Sequence, residues 1–181
     1  MALTATVHHF EVALADVDRG VYEALDLRVA QHPSETIRFL VTRTLAYCLS
    51  YEEGIAFSKG GVSSSDEPPV AVRDPTGLLV AWIDVGVPSA ERLHKASKAA
   101  RRVAVFTTEL AQLRREVSGK KIHESEAIDV WPLDAGFIDA IAGRMSRKTK
   151  LDVTRNDGTL YVVVAGTTLE TPIARASLST R

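Results

Sequence analysis

Cysteine is nearly absent: Cys48 is the one thiol in 181 residues. That excludes an internal disulfide and a four-cysteine zinc site, and it fits a reducing compartment. Cys48 falls in the apolar stripe Ile37, Leu40, Val41, Leu45, Cys48, Leu49, so it reads as a core side chain and not as a nucleophile. No apolar run reaches the roughly 18 residues that span a bilayer. The start, Met1 to His9, lacks the basic front and apolar centre of a signal peptide. No glycine-rich phosphate loop follows a strand, so no nucleotide cofactor is indicated. The five histidines, His8, His9, His32, His94 and His123, have no spacing typical of zinc. Charge is nearly balanced, 22 basic against 23 acidic residues, so any nucleic-acid binding needs a local patch. What remains is a chain 45% hydrophobic and 25% charged, able to bury a core. The expectation is a bacterial-type cytoplasmic protein, one domain over residues 1–181, with no membrane segment.

Residues 2–14 and 21–30 read as two strands joined by the polar turn Asp16-Val17-Asp18-Arg19-Gly20. A helix is predicted from about residue 34 to 51, with Ser34 as N-cap and Glu35 in its first turn. Strands follow at 55–58, 70–73 and 78–86, then a helix over 89–102 capped by Ser89, then a strand at 103–107. A strand, helix, strand passage suggests a parallel crossover. Residues 108–118 and 134–145 read as helices and Ile128 to Trp131 as a strand. The last 35 residues read as strands, with Asn156-Asp157-Gly158 as a hairpin turn. The fold class predicted is α/β (α+β): a mixed β-sheet flanked by helices. Its core is helix, strand, strand, strand, helix, strand over about 34–107, with extra strands at both ends. Ile37, Leu40, Val41, Leu45, Cys48, Val80, Trp82, Leu93, Ala96, Ala100, Val105 and Phe106 are the expected core side chains.

The residue that asks for an explanation is Asp84, near the end of the buried-strand run Leu78 to Pro88. A carboxylate there is unfavourable unless something pairs with it. Asp74-Pro75-Thr76-Gly77 is a turn signature. If Arg73 and Leu78 flank that turn, Glu67 falls opposite Asp84, with Cβ atoms about 5 Å apart on one face. Two carboxylates so close call for a raised pKa or a divalent metal. Asp66 is adjacent, Glu35 opens the first helix, and Lys95 lies on the second helix at a height near Asp84. Carboxylates with a lysine suit magnesium-dependent phosphodiester hydrolysis, in which the ion activates water and lysine adds positive charge. The segment from Ser89 to Arg102 is also basic, with Arg92, Lys95, Lys98, Arg101 and Arg102 against Glu91, a pattern that can contact a nucleic-acid backbone.

At these residues the chain resembles the YaeQ family of bacterial proteins. The resemblance rests on His32-Pro33-Ser34-Glu35-Thr36, on Asp66-Glu67-Pro68, and on Trp82-Ile83-Asp84-Val85-Gly86-Val87-Pro88 with Arg92 and Lys95-Ala96 following. The turn Ala15-Asp16-Val17-Asp18-Arg19 adds to it. That family is similar in fold to the PD-(D/E)XK nucleases, and it carries a loose label linking it to transcription elongation. By that pattern Asp66 or Glu67 would stand for the first acid and Asp84 for the acid of the second motif. Gly86 occupies the place of the motif lysine, and Lys95 on the following helix would be its substitute.

Three readings follow. In the first, the protein is a magnesium-dependent nuclease in which Asp66, Glu67 and Asp84 are metal ligands, Glu35 is a supporting acid and Lys95 stabilises charge. In the second, it is a non-catalytic module on a nuclease-like scaffold that binds nucleic acid or the transcription machinery, using Arg92, Lys95, Lys98 and Arg101. In the third, it is an enzyme acting on another phosphorylated substrate.

Overall fold

The computed structural model describes residues 4–59 and 66–179. In chain order the elements are β1 (Thr6–Asp16), β2 (Val21–Gln31), α1 (Ile37–Leu49), β3 (Ile55–Phe57), β4 (Val70–Arg73) and β5 (Leu79–Val85). Then come α2 (Ala90–Ala99), β6 (Arg102–Thr107), α3 (Leu110–Val117), β7 (Asp129–Pro132) and α4 (Ala135–Ala142). Strands β8 (Lys148–Asn156), β9 (Thr159–Val164) and β10 (Thr167–Pro172) complete the order. Among the described residues, the single mixed sheet expected from the sequence is replaced by two sheets of five strands, each mixed. The chain divides into two compact units, Met1–Leu49 with Leu133–Ile173, and Ser50–Pro132 with Ala174–Arg181.

In the first unit the strand order is β10-β9-β8-β1-β2, with β8 parallel to β1 and the other pairs antiparallel. The physical reason for the second sheet is this return of β8 beside β1, which extends the amino-terminal hairpin without β3. Alternation sorts the side chains: Phe10, Val12, Leu14, Leu27, Val29, Leu151, Val153, Val162 and Val164 are buried, while their neighbours along each strand face out. The Asp16 to Gly20 turn is built by its two aspartates. Buried Asp16 accepts from the Arg19 backbone N–H at 3.2 Å and from Arg19 Nε at 2.6 Å. Asp18 reaches the next hairpin, accepting from the N–H groups of Asp157 at 2.7 Å and Gly158 at 3.2 Å.

Helix α1 starts later than expected, and Ser34 is not its cap. Thr36 Oγ1 accepts from the Phe39 N–H at 3.1 Å, while Ser34 Oγ meets His32 Nδ1 at 2.7 Å. Glu35 therefore precedes the helix, which has no acidic residue in its first turn. Ile37, now the first helical residue, is 39% exposed and not core. Leu40, Val41, Leu45 and Cys48 are buried as expected. Arg38 joins α1 to α4 by a fork on Asp139, at 2.8 and 2.6 Å.

In the second unit the order is β3-β4-β5-β6-β7, antiparallel from β3 to β5 and parallel from β5 to β7. The β5-α2-β6 passage is the expected parallel crossover. Helix α2 ends at Ala99 and not Arg102, because Arg102 already begins β6. Trp82, Leu93, Ala96, Val103, Val105, Leu113, Val117 and Val130 form the core of this unit. Val80 and Ala100, expected in the core, are half-buried. The chain comes back to this unit after β10: the Ala176 N–H donates to the Val130 carbonyl at 2.8 Å, and Leu178 is buried. Among the described residues no helix is long and apolar enough to cross a membrane.

Candidate functional site

Strand alternation puts Trp82 and Asp84 on one face of β5, and α2 packs there through Leu93 and Ala96. Ser89 sets where the helix begins, its Oγ accepting from the Arg92 N–H at 3.1 Å. Arg92 is thereby carried in the first turn, one side chain's reach from the strand end. Its Nε donates to Asp84 Oδ2 at 2.7 Å, and Trp82 Nε1 donates to the same oxygen at 2.9 Å. The Val85 N–H meets Asp84 Oδ1 at 3.3 Å. The guanidinium lies 5.2 Å from the Trp82 ring centroid, within cation–π range, and also donates to the Glu67 carbonyl at 2.9 Å. The Asp84 side chain is 4% exposed and that of Arg92 19%. Arg92 is thus the partner that the buried carboxylate required.

The other expected site residues go elsewhere. Lys95 binds Asp66 across the surface, both side chains more than half exposed. Lys95, and less strongly Arg92, holds the Asp66 carboxyl below the usual carboxylate range. Glu67 accepts from Ser58 Oγ at 2.9 Å. It lines a cleft of about 310 Å³ with Ala56, Lys59, Ala71 and Arg73. Glu35 belongs to the first compact unit, where it accepts from Arg43 Nε at 3.0 Å and from the His32 N–H at 3.1 Å. Burial pushes its carboxyl up, against the pull of Arg43 and the His32 N–H.

The expected register fails for an identifiable reason. Asp74 Oδ1 accepts from the N–H groups of Thr76 at 2.9 Å and Leu78 at 3.0 Å, and the Asp74 N–H donates to the Leu78 carbonyl at 3.0 Å. Arg73 consequently pairs with Leu79, and a bulge between Val72 and Arg73 brings Val70 opposite Ile83. Continued by one residue, that register sets Pro69 opposite Asp84, so Glu67 lies beyond the ladder. Pro68 and Pro69 cannot donate to a ladder, which ends at Val70.

Gly86, at the place of the motif lysine, has φ +83° and donates its N–H to the Phe106 carbonyl at 2.9 Å. A lysine there would occupy the left-handed region that side chains avoid. A magnesium ion needs free carboxylate oxygens in a near-octahedral arrangement. The three carboxylates turn to separate partners, Asp84 to a guanidinium, Asp66 to an ammonium and Glu67 to a hydroxyl, and do not assemble such a site. Among the described residues, no three of His, Cys, Asp and Glu form a group that could hold a metal. The charge pattern alone puts Arg92 among the phosphate contacts, whereas the fold pairs it with Asp84. The signal was present: a Trp-x-Asp alternation at a strand end, followed by an arginine three residues after a helix cap.

The match to the family model described as YaeQ protein extends over residues 1–173. The chain belongs to the YaeQ family. It is 32% identical over 172 residues to the uncharacterized protein YaeQ of Salmonella typhi, covering 94% of each chain. To that of Escherichia coli K12 it is 31% identical over 164 residues, covering 90% of each. Among solved structures it is similar to YaeQ from Pseudomonas syringae, with a TM-score of 0.83, 29% identity and 96% of each chain covered. It is also similar to YaeQ from Xanthomonas axonopodis pv. citri, with a TM-score of 0.81, 29% identity, and 96% and 99% covered. The two-sheet α+β architecture is therefore that of solved YaeQ proteins.

Proposed function

We propose that this YaeQ-family chain binds the sugar–phosphate backbone of a nucleic acid through the exposed cations around α2 and does not cleave it. The observation that carries this reading is the Asp84–Arg92 pair, in which an arginine holds the carboxylate that a nuclease would offer to magnesium. The likeness to PD-(D/E)XK nucleases that the resemblance implies is then one of scaffold, and fold alone assigns no chemistry. The basic segment has charge to spare. Lys98 and Arg101 are exposed. The pairs Lys95–Asp66 and Arg102–Glu52 are open to water on both sides, and such pairs are worth about 0–1 kcal/mol, so phosphate can displace them. Four cations are recruitable, and only Arg92 is committed.

Fluorescence anisotropy with labelled single- and double-stranded DNA and RNA tests this, alongside cleavage assays with magnesium and manganese. Binding should weaken with salt by about 0.9 logarithmic units of affinity per unit of log salt for each phosphate neutralised. Lys98→Ala with Arg101→Ala should lower that slope by about two such increments. Magnesium-dependent cleavage lost in Asp84→Ala would restore the nuclease reading. Wild-type binding no stronger than that of the double variant would refute the role of α2.

A further inference from the structure

Among the described residues the two sheets have four outer strands, and three of them carry features that hinder pairing with another chain. β3 has three residues. β7 has four, ends in Pro132, and is bridged by Ala176. β10 ends in Pro172. Short length, proline, a covering segment and edge charges, lysine above all, are protections of a sheet edge. Among the described residues β2 has none of the first three, and its charges are one arginine and two acids. It runs eleven residues, pairs with β1 alone in an unbroken register, and contains neither proline nor lysine.

Which backbone groups β2 offers follows from β1. The N–H of His9 donates to the Arg147 carbonyl and that of Val17 to Arg155, on the β8 side. Odd residues of β1 thus face β8 and even ones face β2. Since Phe10 pairs with Leu27 and Val12 with Leu25, the odd residues of β2 bond to β1 and the even ones point outward. Ala30 is partly spent, its carbonyl accepting from Arg43 at 2.8 Å. Tyr22, Ala24, Asp26 and Arg28 are all exposed.

We propose that this edge pairs with the β2 of a second copy, antiparallel, about a two-fold axis through Leu27. That register sets Asp26 of one copy opposite Arg28 of the other, twice, with their outward N–H and carbonyl groups facing each other. His9 takes only Oδ1 of Asp26, at 2.7 Å, and leaves Oδ2 for the guanidinium. An axis through Asp26 would oppose that carboxylate to itself, and one through Leu25 would oppose it to Ala24. Opposite charges directly across a ladder attract and like charges repel. The resulting contact is isologous and closed, joining two five-stranded sheets into one. The inference is independent of any nucleic-acid binding.

Sedimentation velocity from micromolar to millimolar chain concentration tests it. The wild type should shift from one chain mass to twice that mass. Arg28→Asp should weaken dimerisation by roughly tenfold, because the two-fold repeats each repulsion. Arg28→Ala should give a smaller loss, and it serves if the aspartate variant melts early. Asp26→Arg combined with Arg28→Asp should restore association. A wild type that stays at one chain mass at millimolar concentration overturns the proposal. So does a dimer indifferent to the single reversal, or a double reversal that restores nothing.

Discussion

Removing the Arg92 side chain by Arg92→Ala would leave Asp84, 4% exposed, with the Trp82 indole N–H and the more distant Val85 N–H as donors. Breaking a buried ion pair from one side costs about 3–5 kcal/mol, because the remaining charge is uncompensated. Arg92 keeps 19% of its side-chain surface in water, so some solvent reaches the pair and the lower end, about 3 kcal/mol, is expected. For a domain of this size that is a fall in melting temperature of roughly 6–12 °C. Both tryptophans, Trp82 and Trp131, lie in the second compact unit, so their fluorescence reports the unit in which the pair sits. Asp84→Asn added to Arg92→Ala, which removes both charges, should recover most of the loss, and wild type, the two single variants and the double variant form the cycle that isolates the coupling. Trp82→Phe, removing one donor, should cost about 1–3 kcal/mol. An Arg92→Ala melting curve within about 2 °C of wild type, below what 1 kcal/mol produces, would refute the claim that arginine is what satisfies Asp84.

Four further outcomes are expected. Gly86→Lys, which puts a lysine back at the motif position, should destabilise by about 1–2 kcal/mol through its left-handed backbone, and magnesium-dependent cleavage assays should show no gain. Leu45→Ala, at a side chain with no exposure, should cost about 2–5 kcal/mol in urea titrations. Burial pushes the Cys48 thiol up to about 12, so a thiol reagent at neutral pH should label it only after denaturation. The Asp18 carboxyl is held low, chiefly by the Gly158 N–H and then by that of Asp157. Its stabilisation is present above the unfolded carboxylate value and is lost as pH falls through the lower folded value. Asp18→Asn should therefore melt earlier than wild type near neutrality, and the difference should shrink in acid melts.

Particular residues show where sequence reasoning reached and where it stopped. The strand at 103–107, the Ser89 cap and the parallel crossover were legible because each rests on local chemistry: β-branched runs, an N-cap hydroxyl, and a helix between two buried strands. Trp82, Leu93, Val105 and Phe106 were legible as core for the same reason. The Asp84 to Glu67 pairing was not, because it needed a register, and the Asp74 side chain and one bulge move that register by two residues. Neither leaves a mark in periodicity.

The sequence by itself determined that one carboxylate ends a buried strand and that something must pair with it, since an unpaired charge in the core is too unfavourable to persist. It also determined that arginine and lysine would both stand on the helix that follows. Only the tertiary structure decided between them. The cap at Ser89 and the packing of Leu93 against the sheet turn Arg92 inward onto Asp84 and Trp82 and leave Lys95 at the surface with Asp66. The division into two sheets was likewise decided at long range, by β8 returning beside β1 from more than a hundred residues away. Local propensity carries no information about which strand that neighbour will be, because pairing partners are chosen by the packing of the whole chain.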